Sequence, residues 1–432
     1  MIAVVGAGAA GLAAAIFAAR RGAAGPIVAL DGARRLGAKI LVSGGARCNV
    51  TNRVVTERDF AGGSPRVVRR VLEAFPAEEA VAFFREIGVS LHEEEDGKLF
   101  PDTNRARTVL DALLAEAARR GVDVRPGHRV LGVARGEDGF RLETSREALA
   151  ARRVVLATGG LSLPKTGSDG GGYAIARELG HSLVPPTPAL VPLMLEGDFH
   201  RPLAGVAHEA EVTVWSDGAR PTARRGALLW THFGVSGPAV LDVSRHWHRA
   251  EAEGRRAGVR LSLLPGRRFG DVEGDLLARA GTSPHASLKG VLGEWLPASL
   301  AAAVPAHLGL PAETRLGRLR REDRRRLVAA LLEWPLPVAG SRGYGFAEVT
   351  AGGVPLEEVD PRTMGSRRCP GLSLVGEILD VDGRIGGFNF QWAWSSAWVA
   401  AGGLARAETR GKGDRADSEA RAAVLGSPPG RE

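Results

Sequence analysis

The sequence predicts an α/β fold in which a Rossmann-like nucleotide-binding domain is interrupted by an insert. Two observations predict this arrangement. Residues 2–31 follow the order strand, glycine turn, helix and strand, which is typical of a right-handed βαβ unit. From about residue 190 the pattern changes to strands with alternating polar residues, and near residue 343 it changes back. A chain of 432 residues is long enough for two or three domains of roughly 100–200 residues each.

The first domain is predicted from buried apolar runs and helical spacing. Residues 2–5 and 27–30 are typical of strands buried on both faces, and the alanine-rich segment between them is typical of a helix. Periodic apolar residues predict further helices, and short apolar runs predict further strands. The helices are expected over residues 65–90 and 104–121, and the strands over residues 122–133, 140–144 and 153–158.

The middle of the chain is predicted to form two inserts. Strands are expected over residues 191–195, 209–215, 226–231 and 259–264, before an arginine-rich helical segment. Strands at 348–351 and 372–375 and a helix at 390–404 then return the chain to the first domain. We therefore expect a discontinuous nucleotide-binding domain over residues 1–190 and 343–407, a β-rich insert over 191–268 and 335–342, a helical insert over 269–334 and a disordered tail over 408–432.

Composition excludes several classes of protein. Two cysteines cannot form a disulfide framework, and no Cys-x-x-Cys pair is present for structural zinc, so we expect a reducing, cytoplasmic compartment. The uncharged run over residues 2–19 contains spaced glycines and lacks a basic leader, so we expect no membrane span there. The formal charge of +8 permits a partner that is nucleic acid or rich in phosphate.

A phosphate-binding loop is predicted at Gly6-x-Gly8-x-x-Gly11, directly after the first strand. Gly6 permits a tight turn, Gly8 lets the backbone approach a pyrophosphate, and Gly11 lets helix and strand pack closely. The helix that follows offers free N–H groups to the phosphates. Asp31, at the end of the second strand, is placed to accept hydrogen bonds from ribose hydroxyls. The sequence therefore predicts a dinucleotide that contains adenine.

Four further stretches carry distinctive patterns. They are residues 37–52 (GAKILVSGGARCNVTN), 157–164 (ATGGLSLP), 231–241 (THFGVSGPAVL) and 376–398, from GEILD to GGFNFQWAWSSAW. Together with the glycine loop, they resemble the BaiN/RdsA (YhiN-like) family of FAD-dependent oxidoreductases over nearly the whole chain. The resemblance implies FAD, a glutathione-reductase-like FAD-binding domain, and an interrupting β-barrel-like insert that carries a helical subdomain.

The resemblance also implies which residues contact the cofactor. Gly386 and Gly387 can form a nest of N–H groups before a helix, and that helix start would stabilise negative charge on a reduced flavin. The expected cofactor contacts are Gly6, Gly8, Ala10, Gly11, Asp31, Lys39, Arg47, Cys48, Asn49, Val130, Thr158, Gly159, Gly376, Glu377, Asp380, Gly387, Phe388 and Asn389. Ala46 stands where the family pattern has its third glycine. If that position needs a positive φ, alanine would lower the stability of the fold by about 1 kcal/mol.

Two residues are candidates for proton transfer. Cys48 lies beside Arg47, which could lower the pKa of its thiol, and the alternative is a small buried residue. His232 could donate a proton or bind substrate, and the alternative is a structural histidine.

Arg47 could contact a pyrophosphate or a substrate anion, or form a surface ion pair. His92, Glu93, Glu94 and Glu95 are interpreted as a solvated loop, because their spacing does not match a metal site.

Seven arginines over residues 315–326 give this segment a local charge of +5. This run is either a solvated helix or a contact for a polyanion, and no aromatic residue for base stacking is found nearby in the sequence.

Within the family, Ser287-Leu288-Lys289 and Ser395-Ser396-Ala397-Trp398 resemble the RdsA branch, which implies reduction of uridine in 23S rRNA to dihydrouridine. Three alternatives stay open: a reductase of a small hydrophobic enone, an amine oxidase, and an RNA assembly factor with little turnover.

The electron donor is not identified by any motif. No second Gly-x-Gly-x-x-Gly follows a strand, so a dedicated domain for a nicotinamide cofactor is not expected. NADH or NADPH that binds transiently over the flavin is one source of electrons, and another protein is the alternative. The chemistry itself would belong to the flavin, while the protein supplies binding, orientation and electrostatics.

Overall fold

The computed structural model describes the backbone of residues 1–425 and the side chains of residues 1–406. The chain divides into two compact units. The first comprises residues 1–186 and 349–432, and the second comprises residues 187–348. These divisions lie a few residues from the domain boundaries expected from the sequence. Among the helices of the described residues, none combines the length and apolar character that a membrane span requires.

The first unit is built on a seven-stranded sheet in the order β21-β22-β23-β11-β1-β2-β7. Its strands and those of the smaller sheets are β1 Ile2–Val5, β2 Ile27–Asp31, β3 Thr51–Asn52, β4 Phe60–Gly62, β5 Leu91–Glu93, β6 Lys98–Pro101, β7 Asp123–Pro126, β8 Val130–Gly136, β9 Gly139–Thr144, β10 Ala148–Ala151, β11 Arg153–Leu156, β12 Val184–Ala189, β20 Val349–Gly353, β21 Val359–Asp360, β22 Gly365–Ser366, β23 Leu372–Leu374 and β24 Val381–Gly383.

The helices of the first unit are α1 Ala9–Arg20, α2 Ala38–Ala46, α3 Pro65–Ala74, α4 Ala77–Glu86, α5 Ala106–Arg119, α6 Gly171–Glu178 and α12 Phe388–Leu425. The small side chains of α1 are buried on nearly every side, which lets this helix lie close to the sheet and to α12. The Phe17 ring packs 5.1 Å from Trp398 of α12, centroid to centroid. The core of this unit therefore surrounds α1.

Three details differ from the expected elements. Residues 38–46, for which no helix was predicted, form the helix α2, which is broken by non-helical residues from Ser43 to Gly45. The helix expected over residues 65–90 is two helices, because Pro76 separates α3 from α4. Helix α12 continues to Leu425, into the segment expected as a disordered tail, and residues 426–432 lie outside the described residues.

The second unit contains a seven-stranded antiparallel sheet in the order β18-β17-β14-β15-β16-β13-β19. The end strands of this order are separated in the chain only by Pro337, so the sheet curls until its two ends meet, as in a barrel. The strands are β13 Leu193–Leu195, β14 Ala207–Ser216, β15 Thr222–Thr231, β16 Gly234–Ser236, β17 Ala257–Ser262, β18 Trp334–Leu336 and β19 Val338–Ser341. The helices are α7 Pro238–Ala252, α8 Phe269–Thr282, α9 Leu288–Leu292, α10 Ala298–His307 and α11 Arg321–Leu332.

Candidate active site

The expected cofactor residues of the first unit gather at one edge of its main sheet. Strand β1 pairs in parallel with β2 and β11, and β11 pairs in parallel with β23. The carboxyl ends of these strands therefore lie side by side, and each is followed by one of the sequence motifs. In open α/β sheets, this edge is where ligands bind.

The three glycines of the phosphate loop have separate tasks. A Cβ on Gly11 would lie 1.8 Å from the Gly6 carbonyl oxygen, and a Cβ on Gly6 would lie 2.5 Å from the Ala157 carbonyl oxygen. These two positions therefore require glycine, because helix and strand pack closely there. A Cβ on Gly8 would meet nothing within 4 Å, so this side of the loop is open for a ligand.

Helix α1 presents its amino end to the same space. The first α1 amide bonded in the i→i−4 pattern is that of Leu12, which donates to the Gly8 carbonyl at 2.9 Å. The N–H groups of the preceding turn are consequently available to an anion. The Asp31 carboxylate fixes this loop, because its oxygens accept from the N–H groups of Ala7 and Ala33, each at 2.8 Å.

A polar network joins three motifs that lie far apart in the chain. The Lys39 ammonium donates to Ser162 Oγ and to Glu377 Oε2, each at 2.6 Å. Ser162 Oγ donates to Glu377 Oε1 at 2.8 Å, and the Thr350 amide donates to the same oxygen at 3.0 Å. Lys39 and Glu377, which belong to two different motifs, are thus brought together. Ser162 and Thr350 were not singled out from the sequence, although Ser162 lies within a quoted motif.

The C-terminal glycine motif meets the phosphate loop. A Cβ on Gly376 would lie 2.7 Å from the Ala10 Cβ, so the two segments touch. Near the other end of the motif, a Cβ on Gly387 would lie 2.8 Å from Asn49 Oδ1. That oxygen is buried and has no hydrogen-bond partner in the described part of the chain. Helix α12 starts directly after this turn, at Phe388.

Side chains of α12 hold these segments in place. Trp392 Nε1 donates to the Gly376 carbonyl at 3.2 Å, and Ser396 Oγ accepts from the Gly376 amide at 3.0 Å. Trp394 Nε1 donates to the Val50 carbonyl at 2.9 Å. The amide of Asn389 bonds to both the N–H and the carbonyl of Gly383, each at 2.8 Å. The buried tryptophans therefore anchor the helix whose amino end faces the site.

The remaining expected cofactor residues lie around this edge. Val130 begins β8, and Phe388 is fully buried at the first turn of α12. Thr158 follows β11, and Gly172 must lack a side chain because its Cβ would clash with the Thr158 hydroxyl. Gly159 has a φ of +72°, which favours glycine. The Asp380 backbone is held by Val354 and Gly63.

Arg47 forms an ion pair within the protein. Its Nη1 lies 2.6 Å from Glu94 Oε1, and its guanidinium carbon lies 4.0 Å from the centroid of the Phe100 ring. The Arg47 guanidinium holds the pKa of the Glu94 carboxyl below its usual range. The acidic cluster is therefore not merely a solvated loop, and His92 and Glu93 lie on β5. Contact of Arg47 with cofactor or substrate stays a prediction.

Cys48 does not have the environment expected of a proton donor. Its side chain is fully buried, and burial raises the pKa of the thiol to about 12. The expectation that Arg47 lowers this pKa is wrong, because the Arg47 side chain is directed to Glu94 and Phe100. The small buried residue named as the alternative is what the structure shows. The φ of Ala46 is +66°, which meets the condition under which alanine is strained there.

His232 lies in the second unit, on an exposed turn between β15 and β16. Its ring packs edge-on against Phe233, with the centroids 5.1 Å apart. An exposed imidazole is available to a ligand, so a chemical role stays a prediction.

The arginine-rich segment is partly neutralised by neighbouring acids. Asp323 accepts from Arg320 and Arg326, and Arg324 pairs with Glu273. Arg318 and Arg321 have no ion-pair partner among the residues that the structure describes. No aromatic residue adjoins this segment in the sequence, but folding brings the ring centroid of Phe269 to 5.6 Å from the guanidinium carbon of Arg325. The sequence did not predict this contact, because Phe269 and Arg325 are far apart in the chain.

The donor and acceptor groups of the first unit fit FAD. The open side of Gly8 and the α1 amino end suit a pyrophosphate, and Asp31 suits a ribose. An isoalloxazine ring carries an N–H donor and carbonyl acceptors, which suit the unpartnered Asn49 oxygen and the amino end of α12. No group of three or more metal-ligating side chains occurs within the described residues.

Comparisons with known proteins agree with this geometry. The family described as "HI0933-like protein Rossmann domain" matches residues 1–403. The chain is 36% identical to "Ribosomal RNA dihydrouridine synthase" of Escherichia coli (strain K12) over 94% of this chain and 98% of that protein. It is 33% identical to a protein of the same name in Haemophilus influenzae, over 93% and 98% of the two chains.

A third relative has a different name. The chain is 34% identical to "3-dehydro-bile acid delta(4,6)-reductase" of Clostridium scindens over 94% of this chain and 99% of that protein. All three relatives match almost from end to end, so the resemblance drawn from the motifs and the predicted fold class are confirmed. The chain belongs to the HI0933-like Rossmann family.

Proposed function

We propose that this FAD-dependent oxidoreductase reduces the C5=C6 bond of uridine in 23S rRNA. Two of the relatives described above are named as ribosomal RNA dihydrouridine synthases, and each aligns with more than nine-tenths of this chain. The observation that carries the proposal is the meeting of the Lys39–Ser162–Glu377 network, the phosphate loop and the α12 amino end at one edge of the sheet. These groups suit the pyrophosphate of FAD and the negative charge of a reduced flavin.

The residues of the chain have distinct tasks in this reaction. FAD, when it is bound and reduced, supplies a hydride to one carbon of the double bond. The loop at Gly8 and the first turn of α1 hold the pyrophosphate, and Asp31 keeps that loop in shape while it binds the ribose. The Lys39–Glu377 pair joins two of the motifs that would hold the flavin. The amino end of α12 would stabilise negative charge on the reduced flavin.

The second carbon of the double bond needs a proton. A fully buried thiol whose pKa is about 12 is a poor source, so Cys48 is not assigned this role. His232 is the remaining candidate, because its imidazole is exposed and imidazole groups commonly act as general acids. We expect His232→Asn to lower the rate of turnover with unchanged FAD content, whereas Cys48→Ala keeps the rate. The measurement is single-turnover kinetics across pH, and equal rates in both variants would remove His232 from the chemistry.

The arginine-rich helical insert is the proposed contact for RNA phosphates. Arg318 and Arg321 carry charge that no acid of the described residues neutralises, so they are free to replace counterions on a polyanion. NADH or NADPH is the proposed source of electrons, through transient contact with the flavin.

A small hydrophobic enone is the second candidate substrate. The relative named as a bile acid reductase aligns over the same length at 34% identity, so identity alone favours neither substrate strongly. Both candidates share the chemistry, which is hydride transfer to an electron-poor C=C bond.

The deciding experiment compares 23S rRNA from a deletion strain with rRNA from the same strain that carries the gene again. We expect mass spectrometry to show dihydrouridine only in the complemented strain. A Gly8→Val copy serves as the control for a folded protein with a blocked phosphate loop. Equal dihydrouridine in all strains would defeat the RNA substrate, and purified enzyme would then be assayed with a bile-acid-type enone. Peroxide formation with an amine would instead indicate an oxidase.

A further inference from the structure

A cation and two rings of the second unit are not among the expected cofactor contacts. Arg342 lies directly after β19, and its guanidinium carbon is 4.7 Å from the Phe233 ring centroid and 3.4 Å from that of Phe346. The Arg342 guanidinium therefore lies over both phenyl rings.

Arg342 is unusual because its charge is not neutralised. Its backbone N–H donates to the Pro192 carbonyl, but its guanidinium makes no ion pair or side-chain hydrogen bond within the described residues. The side chain is only partly exposed. A half-buried guanidinium that is held between two rings keeps its N–H donors in a fixed plane, which suits the oxygens of an anion.

Phe346 is exposed to a degree that is rare for its size. Half of its surface, 50%, is accessible to solvent. It lies on a turn that is fixed by hydrogen bonds from the Phe346 and Ala347 amides to the Gly343 carbonyl, at 3.0 and 3.1 Å. One face of the ring contacts Arg342, and the exposed half is available for stacking. An exposed aromatic ring beside an uncompensated cation suits the stacking of a base.

We propose that Arg342 and Phe346 form a binding site for one nucleotide of single-stranded RNA. The base stacks on the exposed face of Phe346, and the adjoining phosphate accepts hydrogen bonds from Arg342. Aromatic stacking beside a cation is the common way to bind unpaired nucleotides without reading their sequence. The inference rests on the proposed function, since it identifies a place in the second unit where the RNA substrate would be held.

The test measures binding of two fluorescent probes to the FAD-loaded protein by anisotropy. One probe is a short single-stranded oligouridylate, and the other is an abasic ribose-phosphate oligomer of the same length. We expect Phe346→Ala to weaken oligouridylate binding by about tenfold, because stacking on one aromatic ring supplies that much affinity. Binding of the abasic probe should stay within twofold of the wild-type value.

Two matched variants accompany this test. Leu277→Ala removes a side chain of the second unit that is 49% exposed, close to the value for Phe346, and it should leave both affinities unchanged. Arg342→Lys keeps the charge but removes the planar group, and it should weaken both probes by about fivefold. Unchanged FAD absorbance and thermal unfolding show that each variant is folded.

Wild-type affinity in both Phe346→Ala and Arg342→Lys would overturn the inference, as would equal loss of both probes in Phe346→Ala. Failure of wild-type protein to bind oligouridylate would also overturn it. These outcomes are separate from the rRNA experiment. If dihydrouridine in the rRNA depends on the protein but Phe346→Ala binds both probes normally, the proposed function stands and the binding site is rejected. Stacking on Phe346 with unchanged rRNA would sustain the binding site and reject the rRNA substrate.

Discussion

Each unit holds a partly buried cation, and the two cations are compensated differently. In the first unit, Lys39 donates to Ser162 and Glu377. In the second, Arg342 is stacked between two rings and has no acidic partner among the described residues. A cation that is neutralised internally stabilises the arrangement of its neighbours, whereas an uncompensated one is available to a ligand. Changes in the first unit should therefore reduce stability or cofactor content, and changes at Arg342 should reduce partner binding.

The largest effect is expected at Gly11. A Cβ there would lie 1.8 Å from a carbonyl oxygen of the backbone, so helix and strand must separate in Gly11→Ala. We expect a loss of about 3 kcal/mol in the free energy of unfolding of the FAD-free protein, measured in urea. Gly8→Ala is the control, because nothing lies within 4 Å of its Cβ and its φ of −79° suits alanine. Equal stability of the two variants would contradict the distinct roles assigned to the loop glycines.

An intermediate effect is expected at Glu358, which is buried in the first unit. Its carboxylate accepts from His181 at 2.8 Å and from the Ser182 hydroxyl at 2.9 Å. Burial raises the pKa of Glu358, but these hydrogen bonds outweigh burial and hold the pKa below its ordinary value. The carboxylate therefore contributes stability above the usual pKa of glutamate, and this contribution is lost as the pH falls.

We expect Glu358→Gln to cost about 2 kcal/mol in the free energy of unfolding at neutral pH. The difference from wild type should shrink as the pH falls through the lowered pKa of Glu358, where the wild-type carboxylate becomes protonated. Urea unfolding over a pH series measures both quantities. A constant difference at every pH would show that the charge of Glu358 contributes nothing.

The smallest effect is expected at Ala46. Its φ of +66° is a conformation that alanine adopts at a cost and glycine adopts freely. Ala46→Gly should therefore raise the free energy of unfolding by up to about 1 kcal/mol and leave FAD content unchanged. Ala14→Gly, in the middle of α1, is the opposite control and should lower stability by about 1 kcal/mol. A loss of stability in Ala46→Gly would contradict the assignment of strain to this position.

Local patterns predicted the nucleotide half of the protein well. The βαβ unit, the three loop glycines and Asp31 were predicted because period and spacing are properties of neighbouring residues. The break in α2 was missed, since a run of left-handed residues that includes Gly44, Gly45 and Ala46 has no simple sequence signal. The pKa of Cys48 was predicted in the wrong direction, because proximity in the chain to Arg47 did not reveal that its thiol is buried.

The sequence by itself determined the family, the nucleotide loop and the order of the elements, because each depends on residues that are close together in the chain. Only the tertiary structure decided which charges are neutralised. Lys39 contacts Glu377, which is far from it in the sequence, while Arg342 lies between rings from two separate turns and contacts no acid of the residues that the structure describes. The physical reason is that the interaction of two charges depends on their distance and burial in space, which chain separation does not specify.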